Sequence, residues 1–195
     1  MCIRDRARVA VRRRCMAMDV DRLLTLTFRE NITDIDEAWK CFHYFIKQMR
    51  WQYEDRFQYV VVPEYQKRGA VHFHLAVKGF YPVKTVRSYW HAAVGKRGGN
   101  IDITDPKNYS KNSWNPKHIG NYIAKYITKT ESTEFNRKRY ASGGKIELPT
   151  PIFGWLALGV PVVGVMVKAM NGLTEKPVYE IWETEEYFHI IKITT

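Results

Sequence analysis

The sequence has few cysteines and no uninterrupted hydrophobic run long enough to cross a membrane. Its three cysteines, Cys2, Cys15 and Cys41, are too far apart for a disulfide framework or a metal-binding knuckle, so we expect a reducing, cytoplasmic environment. The arginine-rich beginning has no apolar stretch of the kind that a secretory signal needs. The most apolar segment, residues 152–167, has only 16 residues and contains three glycines and a proline. A span needs about 20 apolar residues, so this segment is better interpreted as buried in the protein.

Positive charge is abundant but unevenly distributed. The net charge of +11 indicates a polyanionic partner, either nucleic acid or an anionic membrane. Residues 1–14 contribute +5 of this total through six arginines and one aspartate, so the remaining chain carries +6. The first six residues resemble the translation of a sequencing adapter, and we therefore set residues 1–18 apart as an N-terminal arm. The competing interpretation is a native basic arm that binds DNA.

The hydrophobic pattern predicts strands and helices in the order β-α-β-β-α-β, followed by a further helix. This order is typical of an α+β fold in which helices pack on one face of an antiparallel sheet. We expect one main domain at residues 19–148 and a C-terminal extension packed on it at residues 149–195, with one or two strands at residues 178–194. The predicted strands are 22–28, 57–65, 70–77 and 100–104, and the predicted helices are 34–51, 84–94 and 115–130.

The third predicted strand contains the run His72-Phe73-His74. Alternation along a strand places both imidazoles on one face of the sheet and Phe73 on the other. Two imidazoles on one face suit a divalent metal ion. A His-x-His run also arises by chance, however, and taken alone it favours two hydrogen-bonded structural histidines.

A carboxylate is expected beside these histidines. The polar residues 66–69 predict a hairpin turn, and a turn centred on Arg68 would place Glu64 directly opposite His72, on the same face. Two imidazoles and one carboxylate are compatible with Mg²⁺ or Mn²⁺. A register shift of one residue would instead turn Glu64 away, and Glu64 would then be an ordinary solvated carboxylate.

The last predicted helix carries two tyrosines and two lysines on one stripe: Tyr122, Lys125, Tyr126 and Lys129. An adjacent stripe of isoleucines, at positions 119, 123 and 127, is expected to face the sheet. An ammonium group beside a phenol can hold a phosphate next to a nucleophile. The alternative is an amphipathic helix whose tyrosines pack at the core margin while its lysines lie in water.

Together these motifs resemble the HUH endonuclease superfamily. The shared features are a Thr-Leu-Thr strand at residues 25–27, Glu64 upstream of the His-Phe-His run, and a later Tyr-x-x-Lys-Tyr. The resemblance covers residues 22–145. Within the superfamily the chain is most similar to rolling-circle replication initiators of small single-stranded DNA phages and plasmids.

The resemblance implies a ferredoxin-like or RRM-like fold and a role for each matching residue. His72, His74 and Glu64 would be ligands of Mg²⁺ or Mn²⁺. Tyr122 would attack single-stranded DNA at a replication origin and form a 5′-phosphotyrosine. Lys125 would help to place the phosphate, and Tyr126 matches the second tyrosine of members in which the two tyrosines alternate.

The expected partners follow from the same resemblance. Because the sequence contains no G-x-x-x-x-G-K-[ST] motif, unwinding and synthesis would come from a helicase and a polymerase of the host. The expected location is the cytoplasm of a bacterial host, without a membrane partner.

Three other interpretations are open. A transposase or a relaxase of the same superfamily would use the same chemistry. A catalytically silent, RRM-like module would stack bases on Tyr59 and Phe73 without a metal. A metal phosphohydrolase would use water as its nucleophile. The basic segments 96–99 and 137–140 could contact DNA or lie in solvent.

Overall fold

The structure is a computed structural model that describes residues 3–66, 68–104, 115–129, 139–149, 178–184 and 187–193. The chain divides into two units, Met1–Pro149 and Thr150–Thr195. The helices of the first unit are α1 (Ile3–Met18), α2 (Ile35–Tyr53), α3 (Val83–Val94) and α4 (Pro116–Lys129), and its strands are β1 (Arg22–Phe28), β2 (Tyr59–Tyr65), β3 (Val71–Val77), β4 (Gly99–Ile103) and β5 (Ala141–Gly143). In the second unit, β6 (Val178–Thr184) and β7 (Tyr187–Ile193) form an antiparallel pair.

The first unit contains a five-stranded sheet in the order β4-β1-β3-β2-β5, and every neighbouring pair is antiparallel. Strands β1 and β2 therefore run parallel to each other on either side of β3, which is the split β-α-β arrangement. The predicted α+β class and antiparallel sheet are confirmed. The bounds of the seven predicted elements in this unit agree with the structure to within two residues. The three-residue strand β5 was not predicted.

One face of the sheet is covered by α2 and α3. The helix α2 begins after Asp34, whose carboxylate accepts a 2.8 Å hydrogen bond from the backbone N–H of Asp36 and so caps the first turn. Phe42 from this helix is fully buried and lies 4.8 Å, centre to centre, from the ring of Phe73. Burial of one such ring stabilises the fold by about 1.5–3 kcal/mol.

The opposite face is covered by α1 and α4, which corrects the expectation that helices pack on one face alone. Alternate residues of the central strands, Leu23, Val60, Val62 and Ala76, form a second apolar patch. The isoleucine stripe of α4 packs in this cluster and is almost completely buried, as expected for Ile119, Ile123 and Ile127. The physical reason is that the apolar stripe of α4 needs a sheet surface, and α2 and α3 already occupy the other one.

Residues 3–18, set apart above as an arm, form α1 of the same unit. Val11, Cys15 and Met18 lie three or four positions apart and are buried in the cluster that contains α4. The two helices lie close together at Gly120, where a Cβ atom would lie 3.1 Å from Cys15 Cβ. A glycine at this position therefore allows α1 to pack tightly on α4.

Two expectations concern the C-terminal part of the chain. The strands predicted at residues 178–194 are present as the pair β6 and β7. The apolar segment 152–167 lies outside the described residues. Within the described ranges, no helix is both long enough and apolar enough to cross a lipid bilayer.

Candidate active site

The hairpin of β2 and β3 brings Glu64 beside the two histidines. Glu64 is paired directly with His72 across the two strands, so the predicted register is confirmed. Gly69 supplies the positive φ of 84° that the turn requires. His72 and His74 share the face that α4 covers, whereas Phe73 points into the opposite core. Residues that are paired across a sheet share a face, so Glu64 lies on the histidine side.

Strand β1 adds two threonines to this face. Thr25 is paired with His74, and Thr27 is paired with His72. The hydroxyl of Thr25 lies 3.3 Å from Nδ1 of His74. These threonines belong to the Thr-Leu-Thr strand that resembles the HUH superfamily, and the resemblance implied no role for them. Their alternate positions in β1 were the available signal, because residues i and i+2 of a strand lie on one face.

His74 is held at both ring nitrogens. Its Nε2 lies 2.7 Å from Oε2 of Glu64, and its Nδ1 faces Thr25. The side chain is 8% exposed and that of Glu64 is 16% exposed, so the contact is largely shielded from water. A carboxylate can only accept a hydrogen bond, so Nε2 of His74 carries the proton in this arrangement. The ring orientation is therefore fixed by two strands.

His72 has a different environment. Its Nε2 is buried and has no hydrogen-bond partner among the described residues. Burial, followed by the charge of His74, lowers the pKa of His72 below its ordinary value, although Glu64 acts in the opposite direction. His72 is therefore kept neutral, with one ring nitrogen able to donate a lone pair. An unpartnered buried nitrogen is costly, and a bound ligand would remove that cost.

The helix α4 places two tyrosines against His74. The ring of Tyr126 lies parallel to the imidazole, with centres 4.0 Å apart and an interplanar angle of 6°. The ring of Tyr122 stands nearly perpendicular to the imidazole, with centres 6.4 Å apart. The hydroxyl of Tyr126 donates a 2.8 Å hydrogen bond to that of Tyr122. The structure thus brings together the two sequence motifs that lie about fifty residues apart.

The two tyrosines differ in exposure. Tyr126 is 5% exposed, whereas Tyr122 is only partly buried. Burial raises the pKa of Tyr126 well above its ordinary value, and the hydrogen bond to Tyr122 raises it further. Tyr126 therefore stays protonated and acts as a hydrogen-bond donor, while the hydroxyl oxygen of Tyr122 accepts this hydrogen bond.

The exposed side chain of Lys125 lies over these rings. Its Nζ is 3.8 Å from the centre of the Tyr122 ring and 5.1 Å from that of Tyr126. Such distances are typical of cation–π contacts. The ammonium group is thus held at the solvent side of Tyr122, where it can attract a phosphate. The side chain of Lys129, the last member of the predicted stripe, lies outside the described residues.

The remaining candidates have other positions. Arg97 of the basic segment 96–99 forms an ion pair with Glu37 and also donates to Sγ of Cys41. His91 is bonded to the backbone oxygen of Gly99, and His43 stacks on Trp39. These contacts hold the side chains of Arg97, His91 and His43 against neighbouring groups of the fold. Residues 137 and 138 lie outside the described part of the chain.

A comparison with protein families shows to which family the chain belongs. Residues 21–131 match the family described as Replication-associated protein ORF2. The match spans more than half of the chain and includes all six candidate residues: Glu64, His72, His74, Tyr122, Lys125 and Tyr126. The chain belongs to this replication-associated protein family. No curated protein and no solved structure shows a significant match to it.

Membership in the replication-associated protein family fixes the general role of the chain. This is a family of rolling-circle replication initiators, so the chain acts in the initiation of replication and binds DNA at an origin. The matched region begins one residue before β1 and ends two residues after α4. It therefore contains the four-strand core of the sheet together with α2, α3 and α4, and α1 lies outside it.

Proposed function

We propose that the chain nicks and rejoins single-stranded DNA at a replication origin through a covalent tyrosine intermediate, with Tyr122 as the nucleophile. The observation that carries this proposal is the position of the Tyr122 phenol. It lies beside His74, accepts a hydrogen bond from Tyr126 and has the ammonium group of Lys125 over its ring. A partly exposed phenol that lies beside an imidazole and an ammonium group suits phosphoryl transfer to tyrosine.

A divalent metal ion fits the donor set of this face. His72, His74 and Glu64 would hold Mg²⁺ or Mn²⁺, and the unpartnered Nε2 of buried His72 supports this assignment. In the present side-chain arrangement, the described residues contain no group of three or more potential ligands that converge on one point. The reason is that Glu64 bonds to Nε2 of His74, so ligation through this nitrogen requires Glu64 to turn away and the proton to leave.

When bound, such an ion would polarise the scissile phosphate and neutralise charge on its non-bridging oxygens. The protein residues have separate tasks. Lys125 attracts the phosphate to the solvent side of α4, and Tyr126 holds the Tyr122 oxygen in place. Thr25 and Glu64 fix the ring plane of His74 before DNA arrives.

The reaction exchanges one phosphodiester for another. The oxygen of Tyr122 bonds to phosphorus as the bond from phosphorus to the 3′-oxygen of the preceding nucleotide breaks. Tyr122 loses its proton and the departing 3′-oxygen gains one, so the step is neutral in protons. The products are a 5′-phosphotyrosine and a free 3′-hydroxyl that can prime synthesis. Because no bond energy is lost to water, attack by a 3′-hydroxyl reverses the step and rejoins DNA.

The test is a covalent adduct on a denaturing gel. Labelled single-stranded DNA from the candidate replication origin of the phage or plasmid that encodes the protein is incubated with it, with and without Mn²⁺. The Tyr122→Phe variant is treated in parallel. We expect a metal-dependent, SDS-resistant adduct that the variant does not form. Cleavage without an adduct would show that water is the nucleophile, as in a phosphohydrolase, and would contradict the proposal.

The competing interpretations fit less well. A silent RRM-like module was expected to stack bases on Tyr59 and Phe73, but both residues are buried in the core beneath α2. A transposase or a relaxase would share the chemistry proposed for Tyr122. Membership in a family of replication initiators favours the initiator over these two.

A further inference from the structure

The helix α1 presents arginines on both sides of the stripe that packs on α4. It contains six arginines and one aspartate. We propose that α1 is a second DNA-binding surface, which holds phosphates of the single strand next to the nicked site. This inference rests on the proposed function and deepens it, because it assigns a path to the DNA beyond the reacting phosphate.

The first observation is positive charge that the described residues compensate only weakly. The Nε atoms of Arg8 and Arg12 are buried and have no hydrogen-bond partner among the described residues. Asp5 lies 4.0 Å from Arg8, at the outer limit of an ion pair. Burial, followed by the charge of Arg8, lowers the pKa of Arg12 below its ordinary value. Two like charges on adjacent turns repel each other, and a bound phosphate would relieve that repulsion.

The second observation is a groove on the other side of α1. It has a volume of about 160 Å³ and is lined by Arg6, Val9, Ala10, Arg13, Arg14 and Leu148. None of these described lining residues is acidic. Arg13 donates one hydrogen bond to the backbone oxygen of Pro149, and Arg14 lies over the ring of Tyr140. Each guanidinium group has five N–H donors, so one such contact leaves most of its donors available for phosphate oxygens.

The third observation is the position of this surface relative to Tyr122. A Cβ atom on Gly120 would lie 3.5 Å from Cα of Arg12, so α1 touches α4 at this residue. Gly120 is two positions from Tyr122, which corresponds to a rise of about 3 Å along the helix. Arg12 is therefore about one helix diameter, ~10 Å, from the side of α4 that carries Tyr122. Two positions on a helix are about 200° apart, so Tyr122 lies on the side of α4 away from α1, and a strand bound at Tyr122 reaches α1 by passing over α4.

Single-stranded DNA is the occupant that these features favour. One guanidinium group can bind two oxygens of a phosphate through two parallel hydrogen bonds, and a row of phosphates matches arginines spaced along a helix. Anionic lipid is the main competitor, because a basic helix can also bind a membrane surface. The experiment below separates the two.

The experiment measures DNA binding in the full-length chain with Tyr122→Phe, so that no covalent step occurs. Fluorescence anisotropy with a labelled single-stranded origin oligonucleotide gives the Kd over a series of salt concentrations. Each phosphate contact with single-stranded DNA contributes about 0.7 to the slope of log K against log salt. We expect the added changes Arg8→Gln and Arg12→Gln to lower that slope by roughly 1.4 and to weaken binding at least tenfold at low salt.

The matched control removes two arginines from the opposite side of the sheet. Arg50 on α2 and Arg87 on α3 are exposed, and α2 and α3 lie on the face away from α4. The pair Arg50→Gln and Arg87→Gln changes the net charge equally, so it should leave the slope close to the parent value. Equal slopes for the two double variants would overturn the proposal.

Binding to vesicles that contain phosphatidylserine tests the membrane alternative. Lipid binding that depends on Arg8 and Arg12, with DNA binding unchanged, would overturn it in favour of a membrane.

Loss of folding is controlled by thermal unfolding of each variant. If the Arg8 and Arg12 changes lower the midpoint by more than a few degrees, the salt dependence is measured instead with Arg13→Gln, which alters an exposed residue of the groove. A slope reduced by about 0.7 supports the proposal, and an unchanged slope overturns it. Because binding is measured without cleavage, this result is independent of whether the parent chain forms the tyrosine adduct.

Discussion

The hydroxyl of Tyr126 donates a 2.8 Å hydrogen bond to the hydroxyl of Tyr122, four residues earlier on the same helix. The ring of Tyr126 is fixed at the same time by its parallel contact with His74. The two phenols are therefore not equivalent. One is a buried donor that cannot reach solvent, and the other is a partly exposed acceptor beside Lys125. Under the proposed function, we expect this asymmetry to give the two tyrosines different roles in the first cleavage.

We predict that Tyr126→Phe slows adduct formation without preventing it. Phenylalanine keeps the stacked ring but loses the hydrogen bond, whose net value of about 0.5–1.5 kcal/mol corresponds to roughly a 2- to 10-fold lower rate. The measurement is the single-turnover rate at saturating DNA, together with the Kd for the same oligonucleotide. We expect the rate to fall and the Kd to stay constant.

The reciprocal variant tests whether the tyrosines alternate from the start. In Tyr122→Phe, Tyr126 is still buried, so we expect less than about 1% of the parent adduct. Peptide mapping of any residual adduct identifies the residue that carries DNA. A strong adduct at Tyr126 would show that the buried phenol becomes accessible, and it would contradict these different roles for the two tyrosines.

Metal binding can be examined without any DNA. We predict that His72→Ala and His74→Ala each weaken Mn²⁺ binding by more than tenfold in calorimetry, because each removes one of three donors. His43→Ala is the matched control, because His43 is exposed on α2, on the other side of the sheet. Equal Mn²⁺ affinity in all three variants would show that His72 and His74 are not ligands of the metal ion.

The hairpin shows how far a sequence can specify a site. Strand alternation and a four-residue polar turn were sufficient to pair Glu64 with His72, because these two features determine the register. The carboxylate nevertheless bonds to His74, the diagonal neighbour. Side-chain rotamers depend on the packed surroundings, and those surroundings include the ring of Tyr126 from a helix about fifty residues away. The pattern of a strand does not contain that information.

The second helical layer has a signal in the two central strands. Residues 59–63 of β2 are all buried, and so is every residue of β3. A strand that is apolar on both faces indicates a sheet covered on both sides. The stripe of α1 was harder to recognise, because six arginines surround Val11 and Cys15. Residues 1–18 were set apart as an arm because the first six residues resemble a sequencing adapter, and the apolar stripe of α1 is too short to contradict that interpretation from the sequence alone.

A buried tyrosine makes the stability of the first unit sensitive to alkaline pH. The hydroxyl of Tyr81 lies 2.9 Å from the backbone oxygen of Lys78, and burial, followed by the charge of Asp21, raises its pKa to about 12. A raised pKa in the folded state means that the contribution of this hydroxyl is complete below pH 10. It is then lost as the pH rises towards 12.

We therefore predict that the stability difference between the parent chain and Tyr81→Phe shrinks between pH 10 and pH 12. The expected change is up to roughly 1.4 kcal/mol per pH unit, because the unfolded chain releases the proton first. Urea unfolding at pH 8, 10 and 11 measures the difference. A difference that stays constant over this range would contradict the prediction.

The contact between α1 and α4 can be followed through a single thiol. Cys15 is fully buried, and burial raises its pKa to about 12. In a chain with Cys2→Ser and Cys41→Ser, a thiol reagent at pH 8 should modify Cys15 about 10³-fold more slowly than the unfolded chain, because so little thiolate is present. Adding Gly120→Val should restore most of the reactivity, since even a Cβ at Gly120 would lie 3.1 Å from Cys15 Cβ.

Rapid modification of Cys15 without the Gly120 change would mean that α1 separates from α4 in solution. An arginine surface could not then be held beside Tyr122, so this measurement also tests the physical basis of the proposed DNA path.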